Sequence, residues 1–226
     1  MRESAAHAFV ADLDAPALAD EDRHHLARVL RLRSGQTVTV ADGAGSWRPC
    51  TWGADGSLAV AGEVTAEAAP VPAVTVAFAL TKGAKPEWTV QKLTELGVEA
   101  IVPFVAARSV IRWDAAAARR HVERWRAVAR QAAMQSRRAF LPEVGEVTAF
   151  ADVVAALSAA AMAEPGGGPP SLDRPAVLIG PEGGWSPAEL ACGLPTVGLG
   201  PTILRAETAA IAAATLLVAR RAGLCP

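Results

Sequence analysis

Two charged side chains in an otherwise apolar stretch are the first candidates for chemistry. The run Gly200-Pro201-Thr202-Ile203-Leu204-Arg205-Ala206-Glu207-Thr208 sets Arg205 and Glu207 directly after a glycine-proline bend. Charges withdrawn from water without partners are expensive, so the pair either joins neighbouring charges or serves a ligand. As ligand groups, Arg205 would face an anion or a developing negative charge, and Glu207 a cation or hydrogen-bond donor. An earlier bend, Ile179-Gly180-Pro181-Glu182-Gly183-Gly184, matches the second one at Leu199-Gly200-Pro201. Each follows an apolar run that reads as a buried strand, residues 176–179 and 196–199. Glycine lets the backbone turn sharply and approach a ligand closely. Two such bends at neighbouring strand ends would form a cleft whose main-chain groups hold a polar small molecule.

A second set of residues is basic. Residues 81–140 carry 12 Lys and Arg against 5 Asp and Glu, whereas both flanking stretches are acidic and the net charge is −1. On a helix, Arg119, Arg126, Arg130 and Arg137 fall on one stripe, with Arg108, Arg112 and Arg138 beside it. Guanidinium groups bind phosphate bidentately, so the stripe suits a nucleic-acid backbone, although a solvated helix face looks the same. Trp113 and Trp125, interleaved with these arginines, read as core anchors. Lys82 and Lys85 fall in a strand-to-helix loop, the usual ligand edge of a parallel sheet.

Several chemistries find no support. No GxxxxGK[ST] or GxGxxG run is present, so phosphate-loop and dinucleotide sites are disfavoured. No serine occupies a GxSxG turn. Cys50, Cys192 and Cys225 lack ligand spacing, which argues against zinc and disulfides and for a reducing compartment, the cytoplasm. The uncharged run over residues 68–81 holds two prolines and is too short to span a bilayer. No leader-like segment is read at the N-terminus.

The elements that must position these residues are legible in outline. Residues 7–10, 37–41, 46–51 and 57–65 read as strands, and Asp20 as the cap of a helix to about residue 31. Asp42-Gly43 and Asp55-Gly56 are hairpin signals. Together they suggest a small barrel ending near residue 70, with residues 66–72 as a linker. Alternating strands and helices follow from residue 73: strand 73–80, a helix opened by Pro86 and closed by Gly97, and strand 100–105. A long helix is expected over 114–137, a second over 150–163 and a mobile loop over 164–174. Ser186, Pro187 and Glu189 form a capping box. The last helix, about 205–222, is so apolar that it must be buried in the core or against a second subunit.

With these residues in view, the chain resembles the RsmE-type ribosomal RNA uridine-N3 methyltransferases of the SPOUT superfamily. The resemblance rests on His25-Leu26-Ala27-Arg28-Val29-Leu30-Arg31 and on Lys82-Gly83 followed by Gln91-Lys92-Leu93-Thr94-Glu95-Leu96-Gly97-Val98. It continues through Gln135-Ser136 with Arg138, the bend at residues 179–184, and the run from Leu199 to Ala209. It implies a PUA-like RNA-binding barrel over residues 1–70 and a trefoil-knotted α/β methyltransferase domain over 73–226. It further implies a homodimer acting on a uridine of 16S ribosomal RNA in the small subunit. S-adenosylmethionine would be held by Leu80, Thr81, Ile179, Gly180, Pro181, Glu182, Gly183, Leu199, Gly200, Ile203, Leu204 and Thr208. Arg205 and Glu207 would be catalytic, with no metal, and Arg28, Arg31, Lys82, Arg108, Arg126, Arg130 and Arg138 would contact RNA. The chain departs from the pattern at Met134, where the family usually has Glu, and at His7, with Arg2 upstream, where an Arg is common. Other readings at this level are a SPOUT enzyme for another nucleotide, a non-catalytic RNA binder, and an α/β enzyme for a small nucleotide.

Overall fold

Alternation with period two decides how the strands are buried, and it differs between the two parts of the chain. The computed structural model describes residues 1 and 3–225, so the expectation attached to Arg2 lies outside the described residues. Two compact units are distinguished: residues 1–69 with 130–141, and residues 70–129 with the chain from 142 onward. A sequence split near residue 70 does not anticipate that residues 130–141 group with the first unit.

The first unit contains β1 (Ala6–Phe9), α1 (Asp20–His24), β2 (Thr37–Ala41), β3 (Ser46–Trp52), β4 (Leu58–Val60) and β5 (Thr65–Ala66). Strand β1 runs parallel to β2, β2 and β3 are antiparallel, and β3 also pairs with β4 and β5. The expected single strand over 57–65 is therefore two short ones. The two Asp-Gly bends form as expected: Gly43 and Gly56 have positive φ, and Asp42 and Asp55 accept main-chain N–H groups two residues on. Helix α1 contains Asp20 instead of being capped by it, and continues as a π-helix (His25–Val29). Its core joins Leu26, Val38, Val40 and Cys50 to Ala133 and Met134. The methionine that departs from the family pattern thus fills apolar volume. His7 is buried: Nε2 donates to the Arg138 carbonyl at 3.0 Å, and Nδ1 accepts from Thr39 Oγ1 at 2.9 Å.

The second unit contains β6 (Thr75–Ala79), α2 (Lys85–Leu96), β7 (Ala100–Val105), α3 (Ala115–Ser136, whose last turns belong to the first unit), β8 (Glu143–Val144), β9 (Thr148–Ala149) and α4 (Phe150–Ala156). It continues with β10 (Ala160–Gly168), β11 (Ala176–Ile179), α5 (Pro187–Leu190), β12 (Thr196–Val197) and α6 (Ala206–Arg221). The sheet is parallel in the order β12-β10-β11-β6-β7-β8, with β9 also beside β7. Val76, Phe78, Val177 and Ile179 face one core with Trp125 and the inner side of α6, while Ala77, Ala79 and Leu178 face another with Phe104 and Trp185. Apolar layers on both faces are what a parallel sheet requires. Gly97 closes α2 in a left-handed conformation (φ 98°), and Asp114 caps α3 by accepting the Ala117 N–H at 2.7 Å.

One expectation fails in an informative place. The helix read over 150–163 ends at Ala156, and β10 then occupies much of the segment read as a mobile loop. Ala160, Ala161 and Met162 are buried between β11 and β12. A short alanine-rich run buried on both faces has no period by which a strand can be told from a helix.

Candidate functional site

The two glycine bends line one pocket, as their pairing suggests, but they do not leave adjacent strands. Strand β10 lies between β11 and β12 and brings its middle residues, Ala163 to Pro165, into the wall. The pocket encloses about 430 Å³ at the carboxyl ends of these three strands, where ligands bind in open α/β sheets. Ile179–Glu182, Gly184 and Trp185 form one side, and Leu199, Gly200 and Thr202–Ala206 the other. The lining is largely apolar with main-chain polar groups exposed by the bends, a composition typical of small-molecule sites.

Gly180 has a steric reason to be glycine. A Cβ there would sit 2.9 Å from Trp185 Cε2, and the indole cannot retreat because it packs against Phe104 and donates from Nε1 to the Ala163 carbonyl at 2.9 Å. The bend is also stapled from behind. Buried Glu189 accepts the Ala107 N–H with Oε1 and the Ser186 N–H with Oε2, both at 2.8 Å, completing the expected capping box. Burial pushes the Glu189 carboxyl up, but the hydrogen bonds from Ala107 and Ser186 outweigh it and hold the group below its usual range.

Charge at the pocket is organised by Lys85, the first residue of α2. Its Nζ is 2.9 Å from Glu182 Oε1 and 3.7 Å from Glu207 Oε2. The hydrogen bond from Lys85 to Glu182, with the charges of Glu182 and Glu207, holds the ammonium above its ordinary pKa; desolvation and Arg205 oppose this. Burial pushes the Glu182 carboxyl up, yet the Lys85 hydrogen bond and the charges of Lys85 and Lys82 bring it below its usual range. Arg205 stands just before α6 on extended backbone, and its exposed side chain reaches the pocket without a hydrogen bond or ion pair among the described residues.

Ile179, Gly180, Pro181, Glu182, Leu199, Gly200, Ile203 and Leu204 therefore meet in the pocket with Arg205. Leu80 and Thr81 do not: both are buried at the end of β6, and Leu80 belongs to the core. Gly183 turns toward Arg108, Thr208 is exposed on α6, and Glu207 lies outside the lining. Trp185 and the segment from Ala163 to Pro165 were missed. The signal for the latter was the Glu-Pro-Gly-Gly-Gly sequence after Ala163, a third glycine-rich stretch that a helical reading of the alanines concealed.

The arginine stripe resolves into different jobs. Arg130 holds buried Asp22 through two bonds of 2.9 and 2.6 Å and also donates to the Phe9 carbonyl. It is a structural group of the first unit, so its expected RNA contact is withdrawn. Arg137 leaves the helix at φ 57° and donates to Ser4 Oγ and the Met1 carbonyl. Arg126 donates to the Val144 carbonyl and to Glu146, yet remains half exposed. Arg108 Nη1 donates to the Gly183 carbonyl at 2.9 Å. The Arg138 side chain is half-buried, while Lys82, Arg28, Arg31 and Arg119 are exposed. As expected, Trp125 is buried, and Trp113 packs against its core. Among the described residues no cluster suits a metal ion, and no helix is long and apolar enough to cross a membrane.

A parallel sheet with a glycine-walled pocket at its strand ends, preceded by a small β-rich unit, defines an α/β architecture built to bind a small molecule. The RNA methyltransferase domain family matches residues 67–218, and the RNA methyltransferase PUA domain family matches residues 18–51. A relative from Mycobacterium tuberculosis, ribosomal RNA small subunit methyltransferase E, is 36% identical over 224 residues, covering 89% of this chain and 86% of its own. The enzyme of the same name from Neisseria gonorrhoeae, crystallised bound to S-adenosylmethionine, superposes with a TM-score of 0.78 at 25% identity, covering 97% of each chain. A Legionella pneumophila methyltransferase in complex with the same cofactor gives 0.81 at 26% identity, covering 95% of this chain and 97% of its own. The chain belongs to the ribosomal RNA small subunit methyltransferase E family. Its fold class agrees with the one expected from sequence in having an α/β RNA methyltransferase domain that follows a PUA module.

Proposed function

We propose that the protein transfers a methyl group from S-adenosylmethionine to N3 of a uridine in small-subunit ribosomal RNA. One observation carries this reading: both glycine bends and the unpaired Arg205 converge on a single pocket in a chain of this family. The pocket suits the cofactor, since its bends offer main-chain donors and acceptors beside the apolar surfaces of Ile179, Leu199, Leu204 and Trp185. When bound, S-adenosylmethionine supplies an electrophilic methyl group.

The chain's own task is then to orient, to exclude water and to handle charge. Ile179–Glu182, Leu199, Gly200, Ile203 and Leu204 hold the cofactor. Uracil N3 must lose its proton at or before transfer, and the Arg205 guanidinium stabilises the negative charge left on the imide. Glu207, outside the lining and paired with Lys85, serves as a counter-charge and not as the base. Exposed Arg28 and Arg31, together with Lys82, Arg108, Arg126 and Arg138, supply the RNA-facing charge.

The test is transfer of labelled methyl to 16S RNA and to assembled small subunits, followed by nucleoside mass spectrometry. Wild type yields 3-methyluridine, and Arg205→Ala loses about 100-fold in kcat while still binding S-adenosylmethionine. Unchanged turnover in that variant removes Arg205 from the mechanism. The protein works in the cytoplasm as a homodimer, with Ile203, 89% exposed beside the pocket, and the half-open outer side of α6 as the apolar contact. Sedimentation at micromolar concentration would show twice the monomer mass; a monomer that turns over would refute the shared interface.

A further inference from the structure

Lys85, beside the pocket, is a charged residue to which the reading above gives no role of its own. Its position is unusual because it stands against two carboxylates from two other elements: Glu182 in the bend after β11 and Glu207 in the first turn of α6. These differ in what they need. The Glu182 side chain is 43% exposed and can be solvated by water. The Glu207 side chain is 14% exposed, and its Oε2 is sealed from solvent with no hydrogen bond, leaving the ammonium at 3.7 Å as its counter-charge. A carboxylate withdrawn from water recruits a cation if one is within reach. Arg205, two residues earlier, is such a cation: it is unpaired among the described residues, exposed, and on extended backbone outside the helix.

We propose that Lys85 is a positioning residue that occupies Glu207 and thereby keeps the Arg205 guanidinium free to face the substrate. Without the ammonium, Glu207 captures Arg205, and the positive charge meant for the imide is spent inside the protein. The inference rests on the role given to Arg205 above, so its test has one arm that needs neither cofactor nor RNA.

In that arm, the protein alone is treated with p-hydroxyphenylglyoxal, which modifies unpaired guanidinium groups, and the Arg205 peptide is followed by mass spectrometry. Lys85→Met slows modification at Arg205 by about tenfold, Lys85→Arg does not, and Lys85→Met with Glu207→Gln returns to the wild-type rate within about twofold. In the second arm, kcat for methyl transfer drops about tenfold in Lys85→Met, with the Kd for S-adenosylmethionine little changed, and recovers in the double variant. A structural role for Lys85 would not be rescued by a second substitution. Modification of Lys85→Met at the wild-type rate, or a double variant that stays slow in either arm, overturns the proposal. If wild type transfers no methyl group at all, the functional reading fails, and the labelling arm still decides whether Lys85 keeps Arg205 free.

Discussion

Arg130 shows how a residue type can be read correctly and its job wrongly. A guanidinium on a basic helix suggests phosphate, but buried Asp22 takes both of its nitrogens. Removing one partner of a buried pair strands the other, which costs about 3 kcal/mol or more. Arg130→Ala is therefore expected to destabilise the first unit by about 3 kcal/mol, with Asp22→Asn in the same chain recovering part of the loss. Urea unfolding of the single and double variants checks this, and equal stability of Arg130→Ala and wild type would reject it. Lys85 is the converse case: an ordinary loop lysine in sequence, it proves to be the charge that a bend and the first turn of α6 share.

Among the elements, the segment after α1 carries backbone strain. A π-helix over His25–Val29 is followed by Arg31 at φ 52°, a conformation costly for any residue with a Cβ, while Val29 and Leu30 are left exposed. Strain of this kind persists where function uses it. Arg31→Gly is expected to leave stability unchanged or raise it by up to about 1 kcal/mol, while RNA affinity falls about fivefold. Filter binding and thermal melting measure the two separately; undiminished affinity would return Arg31 to plain surface.

The elements that sequence made legible were those with an end signal or a period. Gly97 stops α2, Asp114 starts α3, Ser186 and Glu189 box α5, and Val76 and Phe78 alternate with Ala77 and Ala79. Strand β10 had neither. Its alanines are good helix formers, and burial between two parallel neighbours removed the alternation that would have contradicted them. With β10 misplaced, the sequence supplied two walls of the pocket and missed the third. Trp185 was missed differently: nothing local marks an indole as the surface against which Gly180 must lie flat.

At the scale of the whole molecule, acid should act on the first unit before it reaches the pocket. His7 has its pKa lowered from 6.5 to about 4, chiefly by burial and further by Arg137, against the hydrogen bond to the Arg138 carbonyl. The unfolded chain therefore takes up this proton first as pH falls, so stability is complete above pH 6.5 and drains away between 6.5 and 4. The loss at pH 5 is about 2 kcal/mol. Asp55, Glu182 and Glu189, all held below their ordinary values, contribute only below about pH 4.5. Hydrogen exchange at the β1 and β2 amides at pH 7 and 5, corrected for intrinsic rates, reads the effect. His7→Gln should abolish it, and an equal loss in that variant would assign it elsewhere.

Helix α3 gives most of its length to the methyltransferase unit, yet its last turns carry Ala133 and Met134 into the apolar centre that holds Leu26 and Val40. A gene cut at codon 70 would therefore yield an N-terminal fragment with an open seam, short of a wall encoded sixty codons downstream. Evolution cannot shuffle this N-terminal unit as a cassette, because part of it is spelled inside its neighbour.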